Sequence, residues 1–215
     1  MKIFLDTANV KEIQDAASLG ILDGVTTNPS LLAKEPGDPY QTLVQICEVV
    51  KGPVSGEVVA TDHDGIVAEA RKLAKLHQHV VVKVPMIREG LRAIRTLSQE
   101  GVKINCTLIF NAVQGLMAAK AGATYLSPFV GRIDDSGHEG MELVRDLVQI
   151  VEIYHLKAEV LAASLRHPLH VREAALAGAH VATMPKGVFD QCMKHPLTDL
   201  GLARFLEDWK KVLAR

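Results

Sequence analysis

Residues 101–128 read GVKINCTLIFNAVQGLMAAKAGATYLSP, and this stretch decides the fold class of the 215-residue chain. It holds two β-rich runs, each directly preceded by a glycine, Gly101 or Gly122. A glycine just after a helix supplies the left-handed residue that turns the chain back into a strand. Gly20 and Gly178 stand in the same place before two other runs. The sequence therefore predicts a repeated alternation of helix and strand.

Eight short β-rich runs of this kind recur along the chain, as expected for buried parallel strands. Amphipathic stretches with helical spacing separate them. Eight alternating units over residues 1–215 predict a single (β/α)8 TIM barrel, an α/β fold. An open doubly wound sheet is the alternative, although no GxGxxG follows the first run. The predicted strands are Lys2–Asp6, Val25–Asn28, Val54–Val59, Val80–Val84, Lys103–Leu108, Thr124–Pro128, Glu159–Ala163 and His180–Met184.

An additional C-terminal helix is predicted after the eighth strand, over residues 197–214. Pro196 interrupts the chain there, and Thr198 can cap the helix. The helix either closes the end of its own barrel or packs as an arm on a neighbouring subunit. Its apolar stripe is Leu202, Phe205, Leu206, Trp209, Val212 and Leu213.

The charge balance limits the partners of the chain. It has 24 Lys and Arg against 25 Asp and Glu, a formal net charge of -1. Nucleic-acid-binding proteins usually carry a basic excess, and so do polybasic membrane contacts. The longest uncharged stretch, Ile104 to Ala119, is too short and too polar to span a bilayer. We therefore expect no nucleic acid and no membrane as partners.

The cysteines indicate a reducing compartment. Cys47, Cys106 and Cys192 are far apart and form neither a disulfide framework nor a metal motif. No apolar segment typical of a signal peptide opens the sequence. We expect a cytoplasmic protein.

Polar residues occur at or near the ends of seven predicted strands. In a barrel of this kind the active site lies at the carboxyl ends of the strands. The sequence therefore predicts a site at this rim. The residues are Asp6, Thr26, Thr27, Asn28, Glu57, Lys83, Asn105, Thr107, Ser127, Arg132, Ser164 and Arg166.

Lys83 is the most informative of these residues, because valines flank it on both sides. A closed barrel has no edge strand, so we expect a desolvated amine. Burial favours the free amine, which attacks carbonyl groups. The alternative is a structural pair with Glu57 or Asp6. These carboxylates are also candidates for proton transfer. The alternative for Asp6, and the commoner role of an Asp in such a place, is a helix N-cap or turn residue before Thr7 and Asn9.

Two arginines follow the sixth and seventh strands. Arg132 and Arg166 present the fork-like donors that suit a phosphate dianion. Surface salt bridges are the alternative for each of them.

The histidines do not form a metal-binding pattern. His77 and His79 make an HxH pair, but at the start of the fourth strand, away from the catalytic rim. His167 and His170 lack a third ligand in pattern. We expect no metal site.

Several motifs at this rim resemble the transaldolase family. The resemblance runs essentially end to end and is strongest to the small single-domain transaldolases and fructose-6-phosphate aldolases. The motifs are FLDTANV (4–10), DGVTTNPSLL (23–32), VVVKVPM (80–86), INCTLIF (104–110), SPFVGRIDD (127–135) and AASLRHP (162–168).

The resemblance implies a role for each site residue. Lys83 matches the lysine that forms a Schiff base with the ketose donor, and Asp6 matches the acid/base at the C4 hydroxyl. Glu57 and Thr107 match the pair that holds a catalytic water. The residues matching the donor pocket are Asn28, Asn105, Ser127, Thr26 and Phe129. Those matching the phosphate site are Arg132, Ser164 and Arg166.

The resemblance also implies the reaction. A dihydroxyacetone unit moves from sedoheptulose 7-phosphate or fructose 6-phosphate to glyceraldehyde 3-phosphate or erythrose 4-phosphate, in the pentose phosphate pathway and without metal or other cofactor. The related aldolases, which release free dihydroxyacetone, typically have Gln at Glu57 and Tyr at Phe129. Both residues here are transaldolase-like. The aldolase remains an alternative.

The resemblance implies two further points. Small members of the family are typically decamers of two five-membered rings, with the last helix on a neighbour. A sugar-phosphate-binding barrel without turnover is an alternative of another class, but it predicts a damaged catalytic set. Every residue of the set is present in this chain.

Overall fold

The computed structural model describes residues 1–214. Eight parallel strands close into a barrel in the order of the sequence, so the predicted (β/α)8 barrel is confirmed and the open sheet is wrong. Each strand lies within a few residues of its predicted range. The strands are β1 Lys2–Asp6, β2 Gly24–Thr26, β3 Val54–Glu57, β4 Val80–Pro85, β5 Ile104–Ile109, β6 Tyr125–Pro128, β7 Glu159–Ala162 and β8 Val181–Met184.

Helices connect successive strands around the outside of the barrel. Three of them are short and were not predicted, namely α2, α7 and α10, with 4, 6 and 6 residues. The helices are α1 Val10–Ser18, α2 Pro29–Leu32, α3 Pro39–Val50, α4 His63–Ala74, α5 Arg88–Gln99, α6 Ala112–Ala121, α7 Val130–Asp135, α8 Gly140–Ile153, α9 Pro168–Leu176, α10 Lys186–Gln191 and α11 Pro196–Leu213.

The glycines before the strands have the predicted left-handed conformation. Gly101 and Gly122 have φ angles of 81° and 109°, and Gly20 and Gly178 have angles of 71° and 80°. A residue with a Cβ is disfavoured at such angles. These glycines therefore end the helices and direct the chain into β2, β5, β6 and β8.

The interior of the barrel consists of an apolar layer with a more polar layer above it. The apolar layer is formed by Phe4, Val81, Tyr125, Leu161 and Val181. Side chains two residues apart on a strand point to the same face. The next inward layer, toward the carboxyl ends, therefore contains Asp6, Lys83, Ser127, Ala163 and Thr183.

A larger apolar core lies between the barrel and the helices. Outward-facing strand residues pack there against one face of each surrounding helix, and this arrangement buries both surfaces of the sheet. Representative members are Leu5, Val82, Leu126, Ile13, Ile94 and Leu147, all fully buried.

The additional C-terminal helix is present as α11, but its start differs from the prediction. It begins at Pro196, and the His195 ring accepts a hydrogen bond from the Leu197 N–H at 3.2 Å. Thr198 is therefore not the cap. Proline suits the first helical position because a backbone N–H at that position has no acceptor within the helix, so its absence costs no hydrogen bond.

The apolar stripe of α11 does not pack on its own barrel. No residue of α11 is buried, and the stripe ranges from Val212 at 53% exposed to Phe205 at 72%. None of the helices in residues 1–214 is both long and apolar enough to cross a membrane.

Candidate active site

A cavity of about 160 Å³ opens at the carboxyl ends of the strands. Nine of the predicted site residues line it, and Ala163 and Thr183 complete the wall. The lining residues are Asp6, Thr26, Asn28, Lys83, Asn105, Ser127, Phe129, Arg132, Ala163, Ser164 and Thr183.

Lys83 lies on β4 with only 5% of its surface exposed. Its Nζ is 3.0 Å from Glu57 Oε2 and donates to the Thr27 carbonyl at 3.1 Å. Lys83 and Glu57 are register partners across β3 and β4, which accounts for the pairing. Both interpretations of the sequence therefore apply, since the amine is desolvated and also has a carboxylate partner.

Asp6 ends β1 and faces the same cavity. The Thr26 hydroxyl donates to Asp6 Oδ1 at 2.7 Å. Burial raises the pKa of the Asp6 carboxyl, and the Thr26 hydrogen bond and the Lys83 charge offset part of that effect. Asn9 caps α1, so the capping alternative for Asp6 is wrong.

Asn105 is held by hydrogen bonds at both ends of its amide. Its Oδ1 accepts from the Ser127 hydroxyl at 2.7 Å, and its Nδ2 donates to Ser55 Oγ at 3.1 Å. An amide nitrogen carries two hydrogens, so one remains for a ligand in the cavity. Asn28 offers a similar donor, because its Oδ1 caps α2 by accepting from the Leu31 N–H at 3.0 Å.

Thr107 and Glu57 do not line this cavity. Glu57 reaches Lys83 from the side and borders a neighbouring cavity of about 480 Å³. Among the residues described, Thr107 Oγ1 is the buried side-chain polar atom that lacks a hydrogen-bond partner. The next residue, Leu108, has a φ of 59° where the register between β5 and β6 shifts. Such irregularities redirect side chains at barrel rims.

Two of the three predicted phosphate residues line the cavity, and the third lies outside it. Arg132 and Ser164 line the cavity. Arg166 lies beside it and pairs through both terminal nitrogens with Asp135. This pairing holds the pKa of the Asp135 carboxyl below its ordinary value. In this structure Arg166 therefore forms the surface salt bridge that the sequence offered as the alternative to phosphate binding.

Gly131 brings α7 close to the Ser164–Arg166 segment. Its N–H donates to the Ser164 carbonyl at 3.1 Å. A Cβ at this position would lie 2.4 Å from that carbonyl oxygen and 2.5 Å from Arg166 Nε. Only glycine permits this approach, so Gly131 shapes the wall beside the predicted phosphate residues Ser164 and Arg166.

The four histidines considered as metal ligands make local hydrogen bonds or ion pairs. His170 Nε2 is 3.1 Å from Asp134 Oδ2, and its Nδ1 accepts from the Arg166 N–H at 3.3 Å. His167 caps α9, and His77 Nδ1 accepts from the His79 N–H. Within residues 1–214 no group of three or more His, Cys, Asp or Glu is placed to hold a metal ion.

Two residues of the site were not predicted from the sequence. Ser55 accepts a hydrogen bond from Asn105, and Thr183 contributes the polar group from the eighth strand. The signal for Thr183 was present, because Val181 and Thr183 repeat the alternation of Val81 and Lys83. No comparable pattern marks Ser55.

The fold and the cavity define a (β/α)8-barrel protein with the layout of an enzyme active site at its carboxyl-end rim. The family model described as Transaldolase/Fructose-6-phosphate aldolase matches residues 3–215. The chain belongs to this family.

Curated relatives match it over nearly their whole length. A probable transaldolase of Caldicellulosiruptor saccharolyticus is 57% identical, covering 99% of this chain and 98% of the relative. One of Kosmotoga olearia is 56% identical, covering 98% and 97%. One of Desulforudis audaxviator is 55% identical, covering 100% of both chains.

Proposed function

We propose that this protein is a cytoplasmic transaldolase of the pentose phosphate pathway. It transfers a dihydroxyacetone unit from sedoheptulose 7-phosphate or fructose 6-phosphate to glyceraldehyde 3-phosphate or erythrose 4-phosphate. The observation that carries the proposal is the buried amine of Lys83, which faces the cavity 3.0 Å from Glu57 Oε2. The family and the names of the relatives support the same reaction.

The first step is attack of the Lys83 amine on the ketone of the donor. Lys83 Nζ contacts Glu57 and the Thr27 carbonyl, and these two contacts orient the nitrogen at the wall of the cavity. Glu57 first takes a proton from the Lys83 ammonium, which gives the free amine that attacks. The proton that the nitrogen loses after the C–N bond forms goes to the former ketone oxygen. The product is a carbinolamine on Lys83.

Loss of water from the carbinolamine gives the iminium, and addition of water later reverses the step. Thr107 supports a water-holding role here, because its buried hydroxyl has no partner within residues 1–214. A buried hydroxyl without a partner is costly, and an ordered water relieves that cost. Glu57 and Thr107 are thus the residues proposed to hold and activate this water.

Asp6 is the proposed base for carbon–carbon cleavage. It removes the proton of the C4 hydroxyl, the C4–O bond becomes a carbonyl, and the C3–C4 electron pair moves into the iminium. An enamine then remains on Lys83 while an aldose phosphate departs. The raised pKa of Asp6 makes its carboxylate a stronger base than an ordinary aspartate.

The rest of the cavity binds the donor. Asn28, Asn105 and Ser127 present polar groups to the dihydroxyacetone part. Arg132 and Ser164 receive the phosphate, with Arg166 completing the site when the phosphate replaces Asp135 as its partner. Arginine forks match phosphate oxygens better than a point charge does.

Phe129 favours transfer over release of free dihydroxyacetone. Its ring lines the cavity and packs edge-to-face on Phe110, with centroids 5.8 Å apart. The ring has no acidic proton, so it does not protonate the enamine, which persists until an aldehyde acceptor arrives. The fructose-6-phosphate aldolase activity is the second candidate, and Glu57 and Phe129 argue against it.

We propose that residues 1–215 form a single domain that assembles into a homo-oligomer. The exposed helix α11 supports this assembly, and it would pack on a neighbouring subunit. Its stripe includes Phe205 and Trp209, exposed at 72% and 59%. We propose the family's decamer of two five-membered rings. Sedimentation of the full chain should show an oligomer, and Trp209→Glu should shift it toward smaller species. A monomeric full chain would contradict this.

Borohydride reduction in the presence of fructose 6-phosphate tests the Schiff base. The iminium becomes a stable secondary amine, so peptide mass spectrometry should find the adduct on Lys83. Lys83→Met should give no adduct, and Lys72→Met, at an exposed position of α4, should give the full amount. Absence of any adduct on the native chain would support a barrel that binds sugar phosphates without turnover.

A further inference from the structure

Thr183 is part of a row of hydrogen bonds that ends at Asp6. Its side chain is 2% exposed and lines the cavity from β8. Its Oγ1 is 2.6 Å from Thr26 Oγ1, and Thr26 in turn donates to Asp6 Oδ1 at 2.7 Å. The row thus crosses three strands, β8, β2 and β1.

The number of available protons determines which hydroxyl donates in each hydrogen bond of this row. A carboxylate only accepts hydrogen bonds, and a threonine hydroxyl has a single proton. While Asp6 is ionised, the proton of Thr26 points to Asp6 Oδ1. The proton in the short contact between the two threonines must therefore come from Thr183.

We propose that Thr183 is a positioning residue, whose hydroxyl donates to Thr26 and so keeps the Thr26 proton directed at Asp6. This inference rests on the proposed function, because it assigns Thr183 to the same reaction. Thr183 acts through Thr26 and does not touch the reacting atoms. It is the contribution of the eighth strand to the proton-transfer side of the site.

The row stabilises the ionised form of Asp6 more than the protonated form. Hydrogen bonds in a chain polarise one another, and those ending on a charge are about twice as strong as neutral ones. Removing the Thr183 hydroxyl should therefore make Asp6 easier to protonate. The charged groups that share the site are Lys83 from β4, its partner Glu57 from β3, and Arg132 from α7.

The test compares Thr183→Val with Thr183→Ser. Valine keeps the shape of threonine and removes the hydroxyl, whereas serine keeps the hydroxyl. We expect the acidic limb of kcat/KM for fructose 6-phosphate to move to higher pH in Thr183→Val, with a loss of about threefold at the foot of the limb. Thr183→Ser should keep the native profile. Thr42→Val, at a buried threonine of α3, is the matched control.

A second measurement does not depend on turnover. Carbon NMR of labelled aspartate, with Asp6→Asn for assignment, should show Asp6 titrating at higher pH in Thr183→Val than in the native chain. An unchanged titration and pH profile would overturn the inference. So would a higher KM with an unchanged profile, which would make Thr183 a substrate contact. A native chain that neither traps substrate nor cleaves it would instead refute the proposed function.

Discussion

The amine of Lys83 and the carboxylate of Glu57 lie 3.0 Å apart on neighbouring strands inside the closed barrel. Their backbones are register partners, so the pairing of β3 and β4 sets this distance. An amine that forms a Schiff base needs a nearby group to move protons in both directions. The relationship therefore links the fold directly to the proposed chemistry.

Glu57→Gln tests that link. Glutamine keeps the size and the acceptor oxygen but does not take up a proton. We expect kcat to fall by about 10²–10⁴-fold, the usual contribution of a general acid–base residue. Glu152→Gln, on the exposed face of α8, should match the native rate. A Glu57→Gln variant with native kcat would remove Glu57 from the mechanism.

Thr107→Val should lower activity without a matching loss of stability. The Thr107 hydroxyl makes no hydrogen bond to another described residue, and valine keeps the shape of threonine, so the free energy of unfolding should stay within about 1 kcal/mol of the native value. Loss of the proposed water contact should lower kcat with a smaller effect on KM. Denaturant unfolding and steady-state kinetics measure the two effects. A destabilised variant with full activity would show that the hydroxyl is structural.

Gly131→Ala should weaken recognition of the phosphate. The added methyl group would collide with the Ser164 carbonyl and with Arg166 Nε. We expect KM for fructose 6-phosphate to rise by about tenfold, which corresponds to one weakened charge-assisted hydrogen bond. Turnover of unphosphorylated fructose should be unaffected. Gly187→Ala, where a Cβ meets nothing within 4 Å, is the control.

Phe129→Tyr should open the aldolase pathway. A tyrosine hydroxyl at this wall of the cavity places a proton donor near the enamine on Lys83. Dihydroxyacetone should then appear from fructose 6-phosphate without an acceptor, in larger amounts than from the native chain. Phe110→Tyr serves as the control. Phe110 packs behind Phe129 and does not itself line the cavity. An unchanged yield from Phe129→Tyr would contradict the assignment.

Asp6 should lower stability at neutral pH. Burial raises its pKa, so the folded state binds a proton in a range of pH where the unfolded chain does not. Stability due to this group therefore falls as the pH rises from the ordinary aspartate pKa through the raised pKa.

Asp6→Asn removes that cost. Its Tm should exceed the native Tm at neutral pH, by about 2–4 °C for each kcal/mol recovered. The difference should vanish below the ordinary aspartate pKa, and Asp146→Asn, at an exposed position of α8, should show no such trend. A lower Tm for Asp6→Asn at neutral pH would mean that Lys83 and Thr26 outweigh the desolvation of Asp6.

The barrel was predictable because local chemistry specifies it repeatedly. Gly101 and Gly122 end helices where φ must be positive, and the valines around Lys83 are typical of a strand buried on both faces. Placing the site at the carboxyl ends then follows from the topology. Thr183 was predictable in principle by the same alternation of inward side chains.

Other features depend on tertiary contacts and were not predictable. Asn105 is fixed by Ser55 from β3, a strand far away in sequence. The pairing of Arg166 with Asp135 depends on how α7 lies beside the loop after β7. The start of α11 was misplaced because the sequence signal of Thr198 competed with proline at the first helical position.

The most direct test of the proposed transfer reaction is the release of glyceraldehyde 3-phosphate from fructose 6-phosphate, with and without erythrose 4-phosphate. We predict sustained release only with the acceptor, because the enamine stays on Lys83 between the two half-reactions. Without the acceptor, release should stop after about one equivalent per active site. Equal multiple-turnover release in both conditions would contradict transfer and show that the protein is an aldolase.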